Sequence, residues 1–196
     1  MTWPERGVAA ILAGSGIRPG REAVSVGWVT QREWLSAEDW YASLPSVYVA
    51  AGGLITDPAG RILLVKPNYR PYWGFPGGVV EADEAPHKGC EREVLEEVGL
   101  SLVAGRLLVA DWVPTDDERP RSSVYFMFDC GVYEGDPPIR LQEEELDDYA
   151  FVTVEEGVGM LNAAFAGRLP AALHALRTGE TQYLPVTRPS DAEIAP

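Results

Sequence analysis

Residues 78–100 read Gly78-Val79-Val80-Glu81-Ala82-Asp83-Glu84-Ala85-Pro86-His87-Lys88-Gly89-Cys90-Glu91-Arg92-Glu93-Val94-Leu95-Glu96-Glu97-Val98-Gly99-Leu100. Pro86 suits a first helical turn and Gly99 a helix stop, so the spacing predicts a helix from Pro86 to Val98. On it Glu93 and Glu97 lie about 40° apart, with Glu96 about 60° to the other side of Glu93. Three carboxylates therefore share a face, while Cys90, Val94 and Val98 form an apolar stripe at i, i+4 and i+8. Like charges at these spacings cost a helix a few tenths of a kcal/mol each, and the face calls for a cation. Oxygen ligands without histidine or thiolate favour Mg²⁺ or Mn²⁺ over zinc or copper. Taken alone, three clustered glutamates are most often a solvated acidic face.

The wider spacing decides otherwise. Gly78 is followed after five residues by Glu84, after seven more by Arg92-Glu93, then by an aliphatic, one residue, Glu96-Glu97, one residue, Gly99 and Leu100. This resembles the Nudix box, G-x5-E-x7-R-E-U-x-E-E-x-G-U with U aliphatic, at every fixed position. The preceding Trp73-Gly74-Phe75-Pro76-Gly77-Gly78 is similar to the family's usual approach to the box. The resemblance implies an α/β fold, an α/β/α sandwich with a mixed β-sheet, and a metal-dependent hydrolase. Carried over by position, Glu93, Glu96 and Glu97 would be metal ligands, joined by the Gly77 carbonyl. Arg92 would hold a catalytic glutamate, and Glu84 would brace the loop. Gly78 and Gly99 have backbone reasons for being glycine, a tight loop and a helix stop. Many relatives add a glutamate six residues before an aromatic. Here Glu145 stands six before Phe151, with Glu144 the neighbour most able to replace it. Gly89 and Cys90 depart from the small, Ala-like residues common there, and an interior Gly costs a helix about 1 kcal/mol.

Outward from the box, Val47 to Thr56 and Arg61 to Lys66 read as a hairpin-like strand pair around Asp57-Pro58-Ala59-Gly60. Leu102 to Val113, Ser123 to Tyr133 and Tyr149 to Val154 read as further strands. Two helices are expected at about Glu155 to Ala166 and Pro170 to Thr178. Residues 1–46 form an N-terminal extension in which Ser36 and Asp39 open a short helix stopped by Pro45. Residues 47–180 are the expected Nudix domain and 181–196 a C-terminal tail.

Thirty acidic against sixteen basic residues leave a formal net charge of −14, which repels nucleic acid and anionic membranes. The chain is therefore expected to bind neither, and an anionic substrate must be met through cations. Two cysteines, Cys90 and Cys130, fit reduced thiols in the cytoplasm. No apolar stretch is long enough for a membrane span, and no signal peptide is expected.

The expected reaction is hydrolysis of a phosphoanhydride in a small-molecule diphosphate. The substrate class is a nucleoside diphosphate linked to another group, as in ADP-ribose, NDP-sugars or NTPs. A prenyl or other non-nucleotide diphosphate is the alternative substrate, and a nucleotide-sensing module the alternative of another class. Glu93 is the first choice of general base and Glu145 the second. Lys66, Arg70, Tyr72 and Trp73 lie in a loop offering cations for phosphate and aromatics for a base; Trp112 and Arg121 are weaker candidates. By analogy the family allows a homodimer.

Overall fold

A computed structural model describes residues 36–116 and 119–185. Two compact units divide at Leu44/Pro45. In the first, α1 (Ala37–Ala42) is capped by Ser36, whose Oγ accepts from Asp39 N–H at 3.0 Å. Its residues Trp40 and Tyr41 meet edge to face, and none of the helix is buried. The rest of the expected N-terminal extension, residues 1–35, lies outside the described residues.

The second unit is built on a mixed sheet. Its strands are β1 (Tyr48–Thr56), β2 (Ile62–Pro67), β3 (Gly77–Val79), β4 (Leu107–Val113), β5 (Ser123–Val132), β6 (Leu146–Val152) and β7 (Gln182–Pro185). The order is β6-β2-β1-β5-β4-β7, with β3 also paired to β1. β1 runs parallel to β5 and β4 parallel to β7, while the other pairs are antiparallel. The run Ile62-Leu63-Leu64-Val65 is apolar throughout because both faces of β2 are covered. Ile62 and Leu64 join one core with Leu54, Met127 and Leu169; Leu63 and Val65 join the other with Val94 and Val98. One face thus carries α3 (Val154–Met160) and α4 (Arg168–Thr178), and the other carries α2 (Pro86–Val98). The sandwich expected from the box is the fold observed.

α2 has the expected bounds, with Pro86 in its first turn and Gly99 left-handed at φ 73°. Elsewhere the boundaries move. β4 starts at Leu107, five residues after the expected Leu102. β6 starts at Leu146, at the edge of the sheet, where pairing with β2 carries the exposed, acidic Asp147-Asp148 inside a strand. α3 stops at Met160, where Leu161 turns extended and pairs with Trp73. The boundary expected at 180 is also too early, since β7 pairs in register with Val109–Trp112. Its four residues carry little hydrophobic pattern and gain their place from β4. No helix among the described residues is long and apolar enough to cross a membrane.

Candidate active site

α2 is anchored by fully buried Cys90, Val94 and Val98, which turns its acidic side toward β3. Arg92 is the hub of that side. Its Nε and Nη2 each donate to Glu84 at 3.1 Å, its Nη1 donates to Glu93 and Glu96 at 2.9 and 3.0 Å, and Nη2 also reaches the Val79 carbonyl at 3.0 Å. A planar fork can serve so many acceptors at once, which a lysine ammonium cannot. Glu84 in turn accepts from Glu81 N–H at 3.0 Å, closing the loop before the helix.

Two glycines fit around these carboxylates. A Cβ on Gly78 would sit 2.5 Å from the Glu93 carboxylate, and one on Gly89 would sit 2.9 Å from Glu84 Oε2. Gly89, a weak point when the helix is read alone, thus makes room for the brace.

Glu97 is different. It is 7% exposed and accepts from Gly77 N–H at 2.7 Å, a backbone amide being its hydrogen-bond partner rather than a cation. Burial pushes its pKa up to about 8, with Glu93 and Glu145 adding to the rise against the Gly77 hydrogen bond. Burial also raises Glu93, opposed by Arg92 and reinforced by Glu96 and Glu145. Arg92 thus satisfies the outer acids, while the inner end of the cluster is short of positive charge. Among the described residues no three acids already converge as a finished metal cage, because Arg92 draws Glu93 and Glu96 to itself. The donor set nevertheless fits a hard divalent cation in type and in charge.

Glu145, immediately before β6, shares an open hollow of about 380 Å³ with Gly77, Gly78, Arg92, Glu93, Glu96 and Glu97. Glu144 does not line it; its carbonyl accepts from Asn68 Nδ2. A second, narrower hollow of about 100 Å³ adjoins the first and shares Tyr69, Arg70, Gly77 and Glu97 with it. Tyr72 and Trp73 line it as well. The guanidinium of Arg70 lies 4.8 Å from the Tyr69 ring centroid and 5.9 Å from that of Tyr72.

Lys66 lines neither hollow. Its ammonium donates to the carbonyls of Pro67 and Arg70, fastening the loop that carries Arg70 and Tyr72. Trp112 and Arg121 are also away from both hollows.

The family model for the NUDIX domain matches residues 47–173. The chain belongs to the Nudix family. A MutT-like protein of Streptomyces ambofaciens is 28% identical over 140 residues, covering 71% of this chain and 86% of that protein. The nucleoside triphosphatase NudI of Klebsiella pneumoniae is 33% identical over 94 residues, 43% of this chain and 63% of its own length, so the likeness spans less than two thirds of that relative. Among solved structures, a MutT protein from Methanosarcina mazei Go1 has a TM-score of 0.58 at 26% identity, covering 68% of this chain and 98% of that one.

Residues to which the spacing of the box assigns no role also stand at the narrower hollow. Phe75, Tyr125, Leu161, Asn162, Phe165 and Arg168 complete the narrower hollow, brought from the β3 approach, β5 and the turn between α3 and α4. No local spacing connects them. The signal closest to one is the arginine at the start of an apolar helix, where a cation opposes the helix dipole.

Proposed function

We propose that this Nudix hydrolase cleaves a phosphoanhydride bond in a nucleoside diphosphate linked to a further group, nucleoside triphosphates included. The adjoining of the two hollows carries this reading. One is acidic and would collect a cation with the diphosphate, and the other is walled by aromatics suited to a base.

Glu93, Glu96, Glu97 and Glu145, with the Gly77 carbonyl, are the residues that would hold Mg²⁺ or Mn²⁺. Such an ion supplies charge neutralisation for the diphosphate and a Lewis acid that makes water a better nucleophile. Arg92 fixes the direction of Glu93 by a charge-assisted bond, with Glu84 fixing Arg92 from behind. Glu93 then stands as the base that removes the proton of the attacking water, and Glu145 is the second choice on the facing wall. Arg70, common to both hollows, would meet the phosphates between base and cation. Tyr69, Tyr72 and Trp73 would flank the base by stacking. The named activity of the NudI relative agrees with this substrate class.

The test is product release from a panel of nucleoside triphosphates, ADP-ribose, NDP-sugars, dinucleotides and prenyl diphosphates, with Mg²⁺, Mn²⁺ or chelator. Metal-dependent cleavage of a nucleotide class that is lost in Glu97→Gln is the expected result. Cleavage of prenyl diphosphates alone, or full activity in Glu97→Gln, would overturn the reading. Nucleotide binding without any turnover would turn it into a sensor.

A further inference from the structure

The narrower hollow ends at an arginine that the hydrolytic machinery above does not use. Arg168, the first residue of α4, is 9% exposed. Its Nε donates to Asp111 Oδ2 at 2.7 Å, and its Cζ lies 3.9 Å from the Tyr125 ring centroid and 4.3 Å from that of Phe165. The guanidinium lies against both rings, and the side chain lines this hollow and the neighbouring one beside Ala163 and Leu184. Neither Nη has a hydrogen-bond acceptor among the described residues, although the side chain lines the hollow.

This arrangement is poor as a stabilising device. A cation at a helix N-terminus opposes the dipole. Asp111 is 1% exposed, and its Oδ1 has no hydrogen-bond partner among the described residues. Burial raises its pKa against the pull of Arg168. A well-packed apolar pair would be at least as stable as such an ion pair. What the pair does provide is an arginine locked in one direction.

Asn162 extends the pattern. Its Oδ1 accepts from Ala164 N–H at 2.9 Å, which fixes the amide orientation and leaves Nδ2 as the free end. The polar side-chain groups around Arg168 in this hollow are its own Nη groups and the Asn162 amide, which donate, and the Tyr125 hydroxyl, which can donate or accept.

We propose that Arg168, positioned by Asp111, determines base specificity and selects nucleobases that present carbonyl acceptors, guanine first and uracil or thymine next. Guanine offers O6 beside N7, the acceptor pair a guanidinium engages through two N–H groups. Uracil and thymine offer the O4 carbonyl without a second acceptor beside it. Adenine and cytosine place an exocyclic amine at the corresponding position, donor against donor. The inference rests on the nucleotide reading of the hollow but not on turnover.

The test measures binding of GMP, UMP, AMP and CMP by calorimetry in chelator, and separately kcat/KM for the four triphosphates with Mg²⁺. Wild-type protein should prefer GMP over AMP by about 10- to 100-fold, the discrimination expected of one bidentate pair. Arg168→Lys should bring that ratio toward one while AMP binding changes little. The paired substitution Asp111→Leu with Arg168→Met, which leaves no unpaired charge, should level the ratio in the same way if the lysine variant fails to fold. Equal binding of GMP and AMP by the wild type would overturn the proposal. So would a uniform loss for all four bases in both variants, since that is the mark of a phosphate contact or a core brace. Base-selective binding without hydrolysis would instead sink the enzymatic reading and leave this one standing.

Discussion

The acidic hollow and the aromatic hollow touch, yet they are assembled in opposite ways. Seven of the residues around the first, Gly77, Gly78, Glu84, Arg92, Glu93, Glu96 and Glu97, come from 21 consecutive positions on one short strand, one loop and one helix. The second takes residues from β2 and its following loop, β5, and the turn into α4, up to a hundred positions apart. A site made by helical periodicity can be read from the chain, because i, i+3 and i+4 fix its geometry. A site made by sheet order cannot, because Tyr125 reaches Arg168 only once β5 and α4 are packed against each other. The local part would run the chemistry and the dispersed part would choose what is brought to it.

Variants can break this division, beginning with the largest effect. Glu93→Gln keeps the shape and the Arg92 contact but removes the base, and kcat should fall by about 10²- to 10⁴-fold in steady-state assays. A loss below tenfold would move that role to Glu145. Gly78→Ala should be nearly as harmful, about 100-fold in kcat, because the new methyl displaces the Glu93 carboxylate while the box acids all remain. A thermal melt should show little change, separating misplacement from unfolding.

Tyr72→Ala acts on the other hollow. It should raise KM by about tenfold, the scale of one lost stacking contact, and leave kcat within about twofold. An equal fall in kcat would mean that the two hollows are not separable.

The smallest effect lies away from both. Glu156 closes a capping box with Thr153 on α3, and the Thr153 backbone N–H is the main cause that holds its pKa below the usual 4.5. A depressed folded-state pKa stabilises the fold above the unfolded value and loses that contribution as pH falls through the folded one. Glu156→Gln should therefore flatten the loss of stability below pH 4.5 in urea titrations without altering activity.

What could be read beforehand follows the same division. The stripe Cys90, Val94, Val98 and the stops at Pro86 and Gly99 gave α2 its bounds; Arg92 does bond to Glu93, and its further bonds to Glu84 were not foreseen. Glu145 came from a spacing to Phe151 and lies beside the other acids, while Glu144 turns out to offer its carbonyl to Asn68. The charge of Lys66 suggested phosphate, and spacing gave no sign that two nearby carbonyls would hold its ammonium. β7 was missed since Gln182-Tyr183-Leu184-Pro185 has no pattern of its own and owes its conformation to β4. Arg168 and Asp111 were missed because an ion pair 57 positions apart leaves no trace in spacing.

Gly52 and Gly53, side by side on β1, carry a consequence for how such a protein can diverge. A Cβ at Gly52 would meet the Tyr125 hydroxyl at 2.1 Å and the Pro76 carbonyl at 2.9 Å. At Gly53 it would meet Cys130 Sγ at 2.7 Å and Val94 at 3.4 Å. Neighbours on a strand point to opposite faces, so one position governs the floor under Tyr125 and the other the height of α2. A side chain at the first would press on the Pro76 carbonyl next to Gly77 as well as on Tyr125, so a lineage could retune that floor only by shifting the strand whose Gly77 N–H holds Glu97.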